Sequence, residues 1–159
     1  MTAGDANFFG WRVVRGAALL AACGWGFSFY GPPVFLHAVQ ASRGWPVSVI
    51  SAAVTLHFLV GAVLVMALPG AYARFGIVAA TRLGAVATAV GVLGWALARE
   101  PWQLHAAAIV SGIGWAATSG AAVNSVVAPW FDRDRPAALA TAYNGGSVGG
   151  VLMPPLWVA

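Results

Sequence analysis

The sequence predicts an all-α polytopic membrane helix bundle, with four complete transmembrane helices and a fifth that ends without its flank. Three observations predict it. Hydrophobic residues make up 60% of the chain and charged residues only 8%, at a mean hydropathy of +0.82, whereas soluble domains carry roughly 25% charged residues. A chain of 159 residues has too little interior to hide that much apolar surface, so lipid must cover it. The charged loop Trp130-Phe131-Asp132-Arg133-Asp134-Arg135-Pro136 lies between two long runs, 101–131 and 136–159, that contain no Asp, Glu, Lys or Arg. Each run can cross a bilayer and the loop cannot. Finally, charged or Pro/Gly-marked breaks cut the chain into pieces near the about 20 residues that a helix needs to span hydrocarbon.

Residues 1–15 form an N-terminal cytoplasmic segment ending in Arg12 and Arg15. The remainder, 16–159, is a partial transmembrane bundle with spans at about 16–38, 47–69, 77–98, 103–129 and 137–159. The first span carries Gly31-Pro32-Pro33 near its outer end. Two prolines in succession remove backbone donors and kink or break the helix there. The second span starts after Arg43-Gly44-Trp45-Pro46 and stops at Pro69-Gly70, before Arg74. In the third, Arg82 lies a turn inside the apolar run and can snorkel back to the interface. Arg99 and Glu100 mark the turn into the fourth span. The fifth stops within an apolar run, Pro154-Pro155-Leu156-Trp157-Val158-Ala159, which reads as the start of a longer membrane protein.

All the positive charge is arginine. Assigning alternate loops to opposite sides places Arg12, Arg15, Arg74, Arg82, Arg133 and Arg135 on the side of the N-terminus, and Arg43 and Arg99 on the other. By the positive-inside tendency the N-terminus is cytoplasmic. The lysine-free, Ala/Gly/Arg-rich composition points to a GC-rich bacterial genome and hence an inner membrane. Arginines in short clusters between apolar runs are topology signals, not a nucleic-acid face, so the bilayer is the expected partner and nucleic acid is not. The single cysteine excludes an internal disulfide framework, and no Cys/His spacing suggests a metal or a cofactor. An intramembrane enzyme is not expected either: HExxH is absent and no Asp lies within a span. Leu20-Ala21-Ala22-Cys23 resembles a lipoprotein cleavage box, but the apolar stretch before it is at the lower limit for a signal core and the residues after it are themselves membrane-like.

Small residues recur at steps of three and four: Ala17, Ala21, Gly24, Ser28 and Gly31 in the first span; Thr81, Gly84, Thr88, Gly91 and Trp95 in the third; Gly112, Ala116, Gly120 and Asn124 in the fourth. The fifth holds two overlapping GxxxG patterns, Gly145/Gly149 and Gly146/Gly150. Such faces let helix backbones approach closely, and Gly24, Gly112, Gly120, Gly145 and Gly149 are the expected packing positions.

Four stretches together resemble the N-terminal part of a major facilitator superfamily transporter, in the branch of monocarboxylate and oxalate/formate-type porters. They are Gly10-Trp11-Arg12-Val13-Val14 leading into Gly26-Phe27-Ser28-Phe29-Tyr30-Gly31; Arg43-Gly44-Trp45-Pro46-Val47-Ser48; Arg74-Phe75-Gly76; and Trp130 to Ala140 running into Gly145-Gly146-Ser147-Val148-Gly149-Gly150. The resemblance implies the N-terminal half of a major facilitator fold and alternating-access transport of a small solute, a small organic anion or monocarboxylate, with the C-terminal helices of the parent transporter as partner. It covers the chain, but the chain supplies fewer than five complete helices of the family's usual twelve. The alternative is a non-transporting remnant or regulatory half-protein. The family's loop after the second helix reads Gly-x-x-x-Asp-Arg-x-Gly; here Pro69 replaces the first glycine and Ala73 the aspartate, so the charge lock that the aspartate serves is weakened or absent.

Candidate site residues follow from both readings. Tyr30, beside the helix break, is a substrate contact or an interfacial aromatic; Trp115 lines a cavity or packs the bundle. Asn124, an amide deep in the fourth span, bonds another helix or faces a cavity. His57, near the middle of the second span, is a proton-coupling group or a hydrogen-bonded structural histidine. Arg74, Arg133 and Arg135 anchor or gate the cytoplasmic loops.

Overall fold

The structure is a computed structural model that describes residues 8–158. Residues 1–7 of the N-terminal segment and residue 159 of the fifth span lie outside the described residues. The described chain is helical throughout, with short connections: α1 (Phe9–Ser28), α2 (Gly31–Arg43), α3 (Val47–Phe75), α4 (Ile77–Leu97), α5 (Pro101–Thr118), α6 (Gly120–Val127), a 3-10 turn (Ala128–Trp130) and α7 (Arg135–Val158). Four helical segments are long and apolar enough to cross a membrane: Phe9–Arg43, Val47–Phe75, Ile77–Leu97 and Pro101–Trp130. Two of them contain an interruption. The protein is therefore a multi-pass, all-α membrane bundle, and α7 adds a fifth long helix whose many glycines dilute its hydropathy.

Several boundaries differ from the sequence reading. The first helix begins at Phe9, so the segment expected to precede the bundle is helical in its last two turns. The second span runs to Phe75 with Pro69 inside it, which makes the expected loop at 70–75 the end of a helix. A proline in lipid is tolerated when neighbouring groups take over the freed backbone bond. The chain instead reverses at Gly76 alone, whose φ of 78° suits glycine and few other residues. Gly44, at φ 66°, ends α2 in the same way.

Packing follows the small-residue stripes. The buried positions of α4 are Gly84, Thr88, Gly91 and Trp95, and α1 buries Ala17, Ala21, Gly24 and Ser28. Each stripe meets a partner of matching shape. A Cβ added at Gly84 would strike Ala117, at Gly91 the Ser111 backbone, and at Gly114 the Thr88 side chain, so α4 and α5 lie backbone to backbone. Helix α7 does the same along α1: Gly145 faces the Ala18 carbonyl and Gly149 the Ala22 carbonyl. Gly24 abuts Thr118, and Gly112 abuts the His57 carbonyl and Val60. Gly120 departs from expectation. The nearest atoms to an added Cβ there lie 3.8 Å away, an ordinary contact, so this position is not a close crossing.

Two apolar clusters cap the bundle. Phe35, Val39, Ile50, Trp95, Leu104 and their neighbours fill the end where α2 turns into α3. Val14, Ala21, Val123, Val127, Phe131 and Ala142 fill the end that carries the N-terminus. Between them lie the polar groups.

Candidate functional site

Two interrupted helices meet in the middle of the bundle, and each interruption has a chemical cause. In a continuous first helix the Ser28 carbonyl would accept from the amide of residue 32, which is Pro32 and has no N–H. The helix stops at Ser28 and resumes at Gly31. The orphaned carbonyl is bonded instead by His57 Nε2, at 2.8 Å. The other ring nitrogen, Nδ1, lies 2.8 Å from Ser111 Oγ on α5, and that oxygen also accepts from Trp95 Nε1 of α4 at 3.2 Å. One fully buried histidine thus ties α1, α3, α4 and α5 together. Because Nε2 faces a carbonyl it must carry a proton, which leaves Nδ1 of the neutral ring to accept from the Ser111 hydroxyl.

The second interruption is at Ser119, between α5 and α6. Its backbone is extended, at φ −63° and ψ 167°. Its hydroxyl donates to the Ala116 carbonyl at 2.8 Å and accepts from the Ala122 amide at 3.3 Å, which makes it the N-cap of α6. With the Ala122 amide so engaged, the Thr118 carbonyl is freed, and Trp25 Nε1 of α1 donates to it at 3.1 Å. At each break a freed carbonyl is thus served by a side chain of a neighbouring helix. The Ser28 hydroxyl beside the first break is buried with no hydrogen-bond partner.

Around the breaks lies an aromatic cluster drawn from four helices. Trp25 contacts Phe29, Trp115 and Tyr143, at centroid distances of 6.4, 6.5 and 6.0 Å. Phe29 stacks on Trp115 at 5.4 Å, and Phe58 meets both of them edge-on. Tyr143 donates to the Gly120 carbonyl at 3.1 Å. Gly61 of α3 makes room for the Trp115 indole, which an added Cβ would strike.

The expected site residues divide accordingly. His57 and Trp115 belong to this centre. Tyr30 packs beside it, its ring 5.0 Å from Phe29 and against Gly150 of α7. Asn124 does not join them: it is exposed on α6 and its side chain has no hydrogen bond among the described residues. Arg74 sits in the last turn of α3, its guanidinium 5.3 Å over the Phe75 ring. Arg133 is exposed in the loop, whereas Arg135 Nε donates to the Phe131 carbonyl at 3.0 Å and so closes that loop. The sequence reading passed over Trp25, Phe29, Phe58, Ser111 and Ser119. Only Ser119 carried a signal, since a serine followed by glycine within an apolar run is a ready N-cap.

Chemically the centre offers aromatic faces, a histidine and helix-end dipoles. Among the described residues no group of three or more His, Cys, Asp or Glu is placed to hold a metal ion. In comparisons with known proteins, no family model, no curated protein and no solved structure matches the chain.

Proposed function

We propose that this chain is part of a major facilitator-type transporter that moves a small organic anion of the monocarboxylate class by alternating access, within a longer twelve-helix protein. The observation that supports this reading best is the pair of interrupted helices meeting at the bundle centre, since transporter sites are built where discontinuous helices expose backbone groups near the bilayer midplane. The motifs quoted above add the family and the substrate class. Trp115, Phe29 and Tyr30 are the contacts we assign to the solute, and His57 the coupling proton.

The hydrogen bonds around His57 suit that role. In the neutral ring Ser111 donates to Nδ1. On protonation Nδ1–H donates to Ser111 Oγ, and the serine hydroxyl swings to the Ala108 carbonyl, 3.1 Å away. Both states keep every partner satisfied without moving a helix.

The chain sits in a bacterial inner membrane with its N-terminus in the cytoplasm, on the six-to-two division of its arginines. In a Cys23→Ala background, cysteines at Arg133→Cys and Arg74→Cys react with an impermeant maleimide only after the cells are opened. Labelling of either in intact spheroplasts would reverse the topology.

The functional test is uptake of labelled lactate, oxalate and formate into liposomes, with and without a proton gradient. The chain alone is expected to show no saturable uptake, and co-reconstitution with the product of the downstream reading frame to restore it. Saturable uptake by the chain alone, abolished by Trp115→Ala or Tyr30→Phe, would mark a complete small transporter. Failure in both preparations would favour the remnant or regulatory reading.

A further inference from the structure

The space between α1 and α4 raises a question independent of transport. These two helices run in parallel but touch little along their lengths. Two cavities, of about 620 and 300 Å³, open beside them and share Leu20 as a wall, the larger closed on one side by Val34, Phe35, Ala38 and Val39 of α2. Their linings follow one another along α4 from Ile77 to Ala96, a trough of about 30 Å at the rise of an α-helix, close to the thickness of the hydrocarbon. Its middle is lined by Leu20, Gly24, Ala85, Ala89 and Val92. The few polar atoms there give water little to hold. The Thr118 hydroxyl is spent on the Gly114 carbonyl at 3.2 Å, and the Thr88 hydroxyl is turned to Gly114, without a hydrogen-bond partner. Such a space stays dry and suits an apolar occupant.

One end is different. Arg82 lines the smaller cavity, six residues into α4. It is exposed, and no carboxylate or other hydrogen-bond partner reaches its guanidinium among the described residues. A cation about 8 Å along the helix from its start reaches the interface by snorkelling, and there it attracts a negative group. Directly across the same cavity, a Cβ on Gly16 would find nothing within 4 Å, so the space beside Arg82 is open.

We propose that this trough binds an anionic phospholipid of the surrounding bilayer, its phosphate on Arg82 and one acyl chain laid along Leu20, Gly24 and Ala89. A guanidinium holds a phosphate through two parallel hydrogen bonds. The lipid brings both the charge and the apolar length in one molecule, whereas a helix seated here would have to bury a carboxylate to serve Arg82.

Two measurements on the intact chain test it. In native mass spectrometry after release from bilayers of equal phosphatidylglycerol and phosphatidylcholine, the chain should retain phosphatidylglycerol about fivefold over phosphatidylcholine, the scale of one arginine at a membrane surface. Arg82→Gln should bring the ratio to one, Arg82→Lys should keep most of it, and Gly16→Leu should lower retention of both lipids by filling the space. Cys23, the chain's single cysteine, lines the trough, so a small fluorophore there should be quenched more by brominated phosphatidylglycerol than by brominated phosphatidylcholine. A preference that survives Arg82→Gln overturns the proposal. So does a label shielded from both lipids, or oxidative Cys23–Cys23 cross-linking that places a second copy in the trough.

Discussion

A Gly149→Leu chain reaches the membrane but loses the seam between α7 and α1, and its resistance to unfolding falls by about 3 kcal/mol, the upper range for an overpacked site. The reason is what lies opposite. An added Cβ would meet the backbone of Ala22, with its carbonyl carbon at 2.8 Å. A neighbouring side chain could swing aside, whereas a backbone carbonyl moves only with its helix. Gly145, with the Ala18 carbonyl carbon at 2.6 Å from an added Cβ, should behave alike. Association in lipid draws on close van der Waals packing, since lipid tails are as apolar as the side chains, so the lost contact has no substitute. Gly120→Ala is the contrast: its Cβ enters at ordinary contact distance, and stability should change by less than about 0.5 kcal/mol. Unfolding in a detergent titration, read by tryptophan fluorescence and by protease resistance, measures all three. Equal stability of Gly149→Leu and the parent would show that α7 does not lie on α1 in this register.

Replacing His57 with leucine strips the Ser28 carbonyl of its donor and Ser111 of its ring partner, at a cost of about 2–3 kcal/mol for buried polar groups left unpaired. His57→Gln keeps an N–H within the side chain and should recover about half. The decisive comparison involves Pro32. Pro32→Ala returns a backbone N–H to the position that a continuous helix uses to serve the Ser28 carbonyl. In that background His57→Leu should cost about 1 kcal/mol less, a coupling that a double-mutant cycle reads directly. Strict additivity of the two substitutions would mean that the histidine does not stand in for the missing amide.

What could be read from the chain was whatever repeats along a single helix. The face Gly84, Thr88, Gly91 and Trp95 is periodic, and those four residues are the buried positions of α4. The break at Pro32-Pro33 was legible because proline acts on its own helix. Pro69 shows the limit of that rule, for the same residue type sits inside α3 without ending it. The interruption at Ser119 escaped because a serine is neutral until its hydroxyl chooses between cap and helix. The candidate site was half visible: a histidine in an apolar run announces itself, while its partners Ser28 and Ser111 come from two other helices, and Trp95, which bonds Ser111, from a third. Asn124 was singled out because a polar side chain in an apolar run needs a partner or a cavity, but a single residue does not say which way its helix turns, and here it is exposed on α6.

The breaks capped from outside have a consequence for biogenesis. A membrane helix normally completes its own backbone bonding before it meets any neighbour. Here the first span cannot, because its Ser28 carbonyl is served by a histidine 29 positions downstream. The fourth span is served by Trp25, 93 positions upstream of Thr118. During synthesis the first helix must therefore leave the insertion machinery with its Ser28 carbonyl unserved, and that group finds its donor only when α3 arrives beside it. The fourth finds its partner already waiting in the bilayer. Insertion in chain order thus protects the later break and exposes the earlier one, which makes the interval between the emergence of Pro32 and the seating of His57 the point at which a quality-control protease would find this chain most vulnerable.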